Sequence, residues 1–340
     1  MDKISTPSTL IRHPQSGTRG RIYLWVSNED RAVRGEESSR VPLAFGFSWA
    51  GCISKNGVAV RRDGAGFREL TGWAYAALVR VMKIALACIV TSLFTSSVQA
   101  ALVEESVTYR QGGVELEGFH VHDGGIDGKR PAILVIHQWT GLTEYEKRRS
   151  RMLAELGYNV FAADIYGKGI RPLPPEAGKE AWKYKGDRAL FRARIMAALD
   201  VLKADEHTDS TRIAALGYCF GGTGALELAR SGADVAGVVS FHGGLDAAAG
   251  MAAAAGKIPA KVLVLHGAAD PFSPLAEVVG LEKELADAKA DSQVVLYSGA
   301  VHSFTQKEAG DDASKGAAYN ETADRRSWAA MRAFLTDIFK

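Results

Sequence analysis

The spacing of hydrophobic and polar residues divides the chain into two unlike parts. Residues 1–81 are rich in Arg, Gly and Ser and show no sustained apolar periodicity. From residue 102 onward, short apolar runs alternate with segments in which apolar residues recur every three or four positions. Short apolar runs are typical of buried strands, and the longer spacing is typical of helices. The pattern therefore predicts a folded core in the second part of the chain and none in the first.

The second part has the pattern of an α/β fold built on a mainly parallel sheet. Two alternating segments, 102–110 and 114–121, predict an N-terminal edge hairpin. Apolar runs then alternate with helical patterns, which is typical of a parallel central sheet with helices on both faces. The further predicted strands are 132–137, 159–163, 212–216, 235–241, 261–265 and 293–297, and the predicted helices are 144–156, 187–204, 223–230, 275–289 and 318–339.

Two segments of this part predict loops. Residues 167–180 contain three prolines, and we interpret them as an irregular lid over the carboxyl ends of the strands, where a loop can shape a substrate site. The Ala- and Gly-rich residues 247–256 predict a pliable surface loop. We expect all these elements to form one domain, residues 101–340.

Residues 82–100 have the three regions of a secretory signal peptide. Lys83 precedes the apolar residues 84–94, and Val98-Gln99-Ala100 forms a small-residue cleavage site. We expect translation to start at Met82 and cleavage to follow Ala100. This predicts a periplasmic or secreted protein with no stable membrane association after cleavage.

Residues 1–81 are then an upstream extension. We expect them to be disordered or not translated, because they offer no periodic apolar face for packing. The alternative is a start at Met1, in which case residues 73–94 would form a poor signal anchor, interrupted by Arg80 and Lys83.

The cysteines give a further indication of chemistry. Cys52 and Cys88 precede the expected cleavage point, so Cys219 is the one cysteine of the expected mature chain and has no disulfide partner there. An oxidising compartment exposes a lone thiol to oxidation. Its presence is easier to understand if the thiol is used.

Charge argues against a nucleic-acid partner. Residues 101–340 contain 28 Lys and Arg and 32 Asp and Glu, a net charge of −4, whereas the whole chain carries +2. The basic excess therefore lies in the first 100 residues. The sequence of the expected domain has no basic stripe interleaved with aromatic residues, and we expect it not to bind nucleic acid.

The segment Gly217-Tyr218-Cys219-Phe220-Gly221-Gly222 carries the strongest functional signal. It follows an apolar strand-like run and opens a helix-like run, which is the context of a nucleophile elbow. In such an elbow the nucleophile occupies a strained turn, and small residues two positions before and after it prevent collisions. The helix N-terminus favours the thiolate. The alternative is that Cys219 is a small buried hydrophobic residue.

Two residues complete the pattern of a catalytic triad. Asp270 follows one predicted strand and His302 follows the next, in the chain order nucleophile, acid, histidine. Either residue alone has a simpler interpretation, a turn residue before Pro271 or a loop histidine. Together they predict that the Cys219 thiolate attacks an acyl carbonyl, that His302 returns a proton to the leaving group, and that Asp270 orients the imidazole.

Acyl transfer also needs donors for a tetrahedral oxyanion. These are normally the backbone N–H of the residue after the nucleophile and one N–H from the loop after the first central strand. The corresponding residues are Phe220 and Trp139.

At these motifs, residues 102–340 resemble the dienelactone hydrolase family of the α/β-hydrolase superfamily, in a secreted subgroup. The resemblance implies an α/β-hydrolase fold, a Cys-His-Asp triad at Cys219, His302 and Asp270, no cofactor, and hydrolysis of ester or lactone bonds in a small molecule. The landmarks are His137-Gln138-Trp139-Thr140-Gly141-Leu142, Gly217-Tyr218-Cys219-Phe220-Gly221-Gly222, Ser240-Phe241-His242-Gly243-Gly244, His266-Gly267-Ala268-Ala269-Asp270 and His302-Ser303-Phe304.

The chain departs from the family at two positions near the expected site. Members commonly carry Glu where this chain has Gln138, and in the prototype that carboxylate helps to activate the thiol. An amide cannot accept the thiol proton, so activation here is expected to depend on His302 alone. The prototype holds a substrate carboxylate with an Arg four residues after the His, where this chain has Gln306.

Other charged residues near these positions have two interpretations each. Arg171, Arg188 and Arg192 either replace the missing cation or are solvated charges on helix faces. Glu144 and Glu146 either replace the missing carboxylate or form a first-turn capping pattern after Thr143, and we favour capping.

Four further histidines were considered as site residues. We expect His242 and His266, which end strands near the site, to be packed or to lie behind the triad. His120 and His122 share one face of an edge strand and could hold a metal, but no third ligand is near in sequence, so we expect no metal.

The sequence thus predicts a carboxylic ester hydrolase with a cysteine nucleophile. The alternative is a hydrolase-fold protein that has lost turnover and acts as a binding or thiol-reactive module, a hypothesis motivated by Gln138 and by the oxidising compartment. The particular substrate and the oligomeric state are left open.

Overall fold

A computed structural model of the chain describes residues 21–23, 80, 101–247 and 258–340. The chain forms two units, Met1–Ser27 with Ala100–Lys340, and Asn28–Gln99. All described residues except Arg80 belong to the first unit. The predicted signal peptide, and nearly all of the predicted loop at 247–256, lie outside the described residues.

The described residues contain one nine-stranded sheet with the order β1-β9-β8-β7-β6-β4-β5-β3-β2. The β2–β3 and β3–β5 pairs are antiparallel, and all other neighbours are parallel. The predicted α/β fold with an edge hairpin is therefore confirmed. The strands are β1 Arg21–Tyr23, β2 Leu102–Gln111, β3 Val114–Asp123, β4 Arg130–Ile136, β5 Asn159–Ala163, β6 Thr208–Tyr218, β7 Gly237–Phe241, β8 Lys261–Gly267 and β9 Ser292–Tyr297.

Helices cover both faces of this sheet. The α-helices in the described part of the chain are α1 Glu144–Ala154, α2 Glu176–Gly186, α3 Arg188–Ala204, α4 Phe220–Arg230, α5 Leu275–Asp287 and α6 Glu321–Ile338. Residues 132–136 of β4 are apolar on both faces of the sheet: Ile133 lies in one buried cluster with Leu153 of α1 and Met331 of α6, while Leu134 lies in the opposite layer with residues of α3, α4 and α5. Both faces of a central parallel strand are buried, so neither can be polar.

Two expectations need correction. The segment 167–180 is not irregular throughout, because α2 begins at Glu176 and continues to Gly186. The extension 1–81 is not wholly without fold, because Arg21–Tyr23 pairs in parallel with residues 293–295 of β9. Backbone hydrogen bonds along the exposed edge of β9 hold these three residues. The proposed boundaries at 81 and 100 remain predictions.

The predicted site residues follow parallel strands and lie at one edge of the sheet. Cys219 follows β6, Asp270 lies three residues after β8, and His302 lies in the loop after β9. The loop that begins at His137 follows β4, the neighbour of β6. Because carboxyl ends of parallel strands meet at one edge, residues far apart in sequence converge there.

Candidate active site

The turn at Cys219 is a strained strand-to-helix turn. Cys219 has φ 55° and ψ −116°, a backbone conformation that residues other than Gly rarely adopt. The Cys219 N–H donates to the Phe241 carbonyl at 3.0 Å, and α4 begins at the next residue. A Cβ added at Gly217 would lie 2.0 Å from the Gly221 oxygen, and one at Gly221 would lie 2.1 Å from the Ile136 oxygen. The predicted need for small residues on both sides of Cys219 is confirmed.

The three predicted triad residues lie in hydrogen-bonding order. His302 Nε2 is 3.0 Å from the Cys219 sulfur, and His302 Nδ1 is 2.8 Å from Asp270 Oδ2. The other carboxylate oxygen, Asp270 Oδ1, accepts the N–H groups of Phe272 at 2.9 Å and Ser273 at 3.3 Å. These bonds hold the carboxylate in place beside the imidazole. The structure thus brings together residues separated by up to 83 positions.

The electrostatics of the pair favour a thiolate and an imidazolium. Burial by itself raises the pKa of the Cys219 thiol, but the charge and hydrogen bond of His302, the charge of Lys185 and the Phe220 N–H lower it, and the net pKa lies below the ordinary value. Burial lowers the pKa of His302, while the thiolate and the Asp270 carboxylate raise it, and the net pKa lies above the ordinary value. Each partner stabilises the charged form of the other.

Two histidines lie behind this pair rather than in it. The buried His242 has its Nε2 2.7 Å from Thr305 Oγ1, and its ring lies 5.3 Å from the ring of His302 in an edge-to-face arrangement. Burial and the charge of His302 hold the pKa of His242 well below the ordinary value, which keeps it neutral. His266 Nε2 donates to the Ser273 carbonyl at 2.8 Å. It is therefore His302, and neither of these histidines, that lies between Cys219 and Asp270.

The two expected oxyanion donors both line the cavity. Phe220 is the first residue of α4, and Trp139 lies in the loop after β4. Within residues 101–247 and 258–340, no acceptor takes the Trp139 backbone N–H. The Trp139 carbonyl accepts the Tyr166 hydroxyl at 2.9 Å. A backbone donor that is held in place and still unused is the arrangement an oxyanion hole needs.

The cavity above Cys219 is small and mostly apolar. Its volume is about 260 Å³. Helix α2 supplies part of one wall of the cavity. The part of the predicted lid segment that lines the cavity is therefore helical, which the proline pattern did not indicate. Trp182 and Phe272 are exposed at the rim. The lining residues are Trp139, Gly178, Ala181, Trp182, Lys185, Cys219, Phe220, Gly244, Phe272, Ser273 and His302.

Lys185 is the cationic side chain that sequence analysis missed. It lines the cavity, is half-buried, and has no ion-pair partner in the described part of the chain. The spacing of the buried residues Ala177, Ala181 and Tyr184 is the signal that would have revealed α2 and thereby placed Lys185.

The three arginines that could replace the missing cation do not line the cavity. Arg171 donates to the backbone carbonyls of Leu142 and Ile170. Arg188 and Arg192 both pair with the fully buried Glu227 of α4. None of the three therefore replaces the missing cation: the packing of α3 on α4 sets Arg188 and Arg192 against a buried carboxylate, and Arg171 lies 3.5 Å from the buried Asp164.

The two positions at which the chain departs from the family do not line the cavity. Gln138 is buried beside Trp139, and Gln306 is half-buried, with its N–H bonded to the Ser303 carbonyl at 2.9 Å. The expected capping box is present, with Thr143 as N-cap and Glu146 as its partner. Glu146 also accepts the Gln138 N–H at 3.1 Å, a contact that capping does not require.

His120 and His122 lie on β3, which pairs with both β2 and β5 and is not the expected edge strand, and they contact protein groups. His120 Nδ1 lies 2.8 Å from Glu105 and its Nε2 2.6 Å from Asn159 Oδ1, while the His122 ring stacks on His207 at 4.2 Å. No cluster of three or more His, Cys, Asp or Glu suited to a metal occurs among the residues that the structure describes. Nor is any helix there long and apolar enough to span a bilayer.

The fold and the elbow together define an α/β-hydrolase. The model of the dienelactone hydrolase family matches residues 116–339, and the chain belongs to this family. Like its relatives with assigned activities, it is a carboxylic ester hydrolase.

Three similar proteins illustrate the relationship. The crystal structure of a dienelactone hydrolase-like promiscuous phosphotriesterase from metagenomic libraries is 39% identical and covers 71% of this chain and 100% of that one, with a TM-score of 0.67. A putative carboxymethylenebutenolidase of Saccharolobus solfataricus is 25% identical, over 70% of this chain and 100% of the relative. The carboxymethylenebutenolidase of Rhodococcus opacus is 28% identical, over 54% of this chain and 74% of the relative.

Proposed function

We propose that the protein hydrolyses small carboxylic esters or lactones through a Cys219-His302-Asp270 triad with an acyl-thioester intermediate. The observation that carries this proposal is the continuous chain of contacts, 3.0 Å from sulfur to imidazole and 2.8 Å from imidazole to carboxylate. A nucleophile, a base and an orienting acid in this order are the requirement for covalent acyl transfer.

The reaction follows from these positions. The Cys219 thiolate attacks the carbonyl carbon, and the negative charge moves to the carbonyl oxygen, where the Trp139 and Phe220 N–H groups stabilise it. The ester C–O bond breaks as His302 Nε2 gives its proton to the departing alkoxide. His302 then takes a proton from water, which attacks the thioester and releases the carboxylic acid and the thiolate. Asp270 holds the Nδ1–H throughout.

The cavity favours compact substrates. A volume of about 260 Å³ and walls that include Trp139, Trp182 and Phe272 suit a small apolar acyl or alcohol group beside the reacting carbonyl. Since the similar metagenomic protein is described as a promiscuous phosphotriesterase, a phosphotriester belongs in any substrate panel.

The alternative function, a binding or thiol-reactive module without turnover, is less well supported. A module that only binds a ligand has no need of an imidazole poised between a thiol and a buried carboxylate. The unused Trp139 N–H in the cavity is likewise an arrangement that serves catalysis.

Steady-state hydrolysis of short-chain aryl esters, lactones and a phosphotriester tests the proposal. We expect Cys219→Ala to abolish turnover and to keep the wild-type circular dichroism spectrum and melting temperature, because the substitution removes the nucleophile alone. Rapid acid quenching should trap an acyl adduct on wild-type Cys219 by mass spectrometry. Wild-type turnover in Cys219→Ala would contradict the triad, and turnover without an adduct would contradict the thioester.

We also propose that residues 82–100 direct export and are removed, so that the mature chain begins at Ala101. The chain from Ala101 retains β2 to β9 and every proposed site residue. The expected result is a periplasmic or secreted protein whose N-terminus maps to Ala101 by mass spectrometry and whose activity equals that of the full chain. An N-terminus upstream of Met82, or an inactive or aggregated truncated chain, would refute it.

A further inference from the structure

The strongest unexplained feature near the site is a buried carboxylate. Glu146 is fully buried, and none of the Lys, Arg and His side chains that the structure describes forms an ion pair with it. Removing a carboxylate from water without a cation is costly and is tolerated when hydrogen-bond donors surround it. The hydrogen bonds that Glu146 accepts therefore indicate its role.

Its two oxygens bind both ends of one loop. Glu146 Oε1 accepts the Gln138 backbone N–H at 3.1 Å. Glu146 Oε2 accepts the Thr143 backbone N–H at 2.8 Å and the Thr143 hydroxyl at 2.7 Å. The Thr143 contacts belong to the capping box of α1. The Gln138 contact lies outside the helix and ties the start of the loop to the same carboxylate.

This loop carries the expected oxyanion donor. The peptide group between Gln138 and Trp139 has its carbonyl bonded to the Gly141 N–H at 3.1 Å and to His137 Nδ1 at 2.6 Å. In a trans peptide the C=O and N–H groups point in opposite directions. The bonds on the carbonyl therefore aim the free Trp139 N–H, and the bond from Glu146 fixes the backbone immediately before that peptide group.

We propose that Glu146 is a positioning residue for the oxyanion hole: its carboxylate holds the 138–143 loop so that the Trp139 N–H meets the developing oxyanion. This inference rests on the proposed acyl-transfer function. It assigns Glu146 a role in the reaction without contact to substrate, because it acts through Gln138 and the following peptide group. A donor misplaced by about 1 Å is enough to lower a rate about 100-fold.

Glu146→Gln is the informative variant. It keeps the shape of the side chain but turns one acceptor oxygen into an NH₂ donor. Because both carboxylate oxygens face N–H groups, one N–H then faces another donor and the loop loosens. Glu144→Gln is the matched control, since Glu144 lies two residues earlier on the same helix, is exposed, and pairs with Lys147 and Arg151 rather than the loop.

For Glu146→Gln we expect kcat for ester hydrolysis to fall roughly 10- to 100-fold, with KM changed less than about threefold. Alkylation of Cys219 by iodoacetamide should stay within about twofold of the wild-type rate, because alkylation forms no oxyanion. Glu144→Gln should match wild type in both assays. This split separates positioning from a general loss of structure, which would lower both rates.

A second variant separates positioning from capping. Thr143→Val removes the cap hydroxyl but keeps the Glu146–Gln138 bond, so it should lower the melting temperature and leave kcat within about threefold of wild type. Amide hydrogen exchange in residues 138–142 should be faster in Glu146→Gln than in Glu144→Gln. Wild-type kcat with unchanged exchange in Glu146→Gln, or a parallel loss of turnover and alkylation, would overturn the inference. If wild type itself hydrolyses no ester, the acyl-transfer proposal fails. The proposal that Glu146 positions the loop is then decided by the hydrogen-exchange comparison of Glu146→Gln with Glu144→Gln alone.

Discussion

The elbow at Cys219 and the loop after β4 both line the cavity but are held in place by different interactions. At the elbow, backbone atoms lie about 2 Å from where a Cβ of Gly217 or Gly221 would be. The loop after β4 is instead fixed by side chains from elsewhere, the Glu146 carboxylate and the Tyr166 hydroxyl. Steric exclusion rises steeply with distance, whereas a hydrogen bond contributes about 1 kcal/mol. Adding a side chain at Gly217 or Gly221 should therefore disrupt the fold, whereas changes around the loop should alter activity.

The largest expected effect comes from the elbow. We expect Gly217→Ala to destabilise the protein by about 4 kcal/mol or more, or to prevent folding, because its methyl group would overlap the Gly221 backbone. Gly280→Ala is the matched control: Gly280 lies inside α5 with nothing within 4 Å of its added Cβ, and Ala should stabilise the helix by about 0.5–1 kcal/mol. Urea unfolding measures both. A Gly217→Ala protein as stable as wild type would show that sterics do not define the elbow.

The next effect concerns Asp270, the acid of the proposed triad. Asp270→Asn keeps the size of the side chain but no longer stabilises the imidazolium, and we expect kcat to fall about 10³- to 10⁴-fold with the melting temperature nearly unchanged. Asp287→Asn, which removes an exposed carboxylate paired with Lys283, should leave kcat unchanged. Equal activity of the two variants would show that Asp270 is a turn residue only.

A smaller effect concerns the charge of Lys185. Because that charge lowers the pKa of the Cys219 thiol, Lys185→Met should move the alkylation profile to higher pH and slow iodoacetamide alkylation at mildly acidic pH. Alkylation follows the thiolate, so the sign is fixed: a raised pKa means less thiolate at a given pH below it. Lys183→Met, exposed and paired with Glu180, is the control. A profile unchanged in Lys185→Met would place the charge too far from the sulfur to matter.

The smallest effect is expected at Gln138. Gln138→Glu adds a titrating group next to Trp139, and the pH profile of Cys219 alkylation should then show two titrations in place of one. A carboxylate at this position acts on the thiolate through its charge, without contact across the cavity, so the test is the shape of the profile and not its height. Gln306→Glu, on the loop after His302, is the matched substitution. Superimposable profiles for wild type and Gln138→Glu would mean that this position is remote from the sulfur.

The sequence predicted those parts of the site that depend on local pattern. The elbow was visible because its small residues stand at fixed positions around Cys219, and Asp270 and His302 were visible because each follows an apolar run. Strand β5 was predicted at both of its ends, 159 and 163. Each of these signals lies within a window of about ten residues.

Other parts of the fold gave weak local signals. Helix α2 was missed because prolines precede it and because only three of its residues, Ala177, Ala181 and Tyr184, are buried. Strand β1 is three residues long, too short for any periodicity. Strand β1 forms by pairing with the edge of β9, and no local pattern in residues 21–23 indicates that pairing.

Sequence alone thus determined the α/β class, the succession of strands β2 to β9 along the chain and the chemistry offered by Cys219, His302 and Asp270. Tertiary structure decided which charged side chains lie at the site and which are paired away from it. It buried Arg188 and Arg192 against Glu227, brought Lys185 into the cavity, and set the Glu146 carboxylate beneath the Trp139 loop. The physical reason is that steric limits and hydrophobic periodicity act between near neighbours in sequence, whereas ion pairs and buried hydrogen bonds depend on which elements pack together.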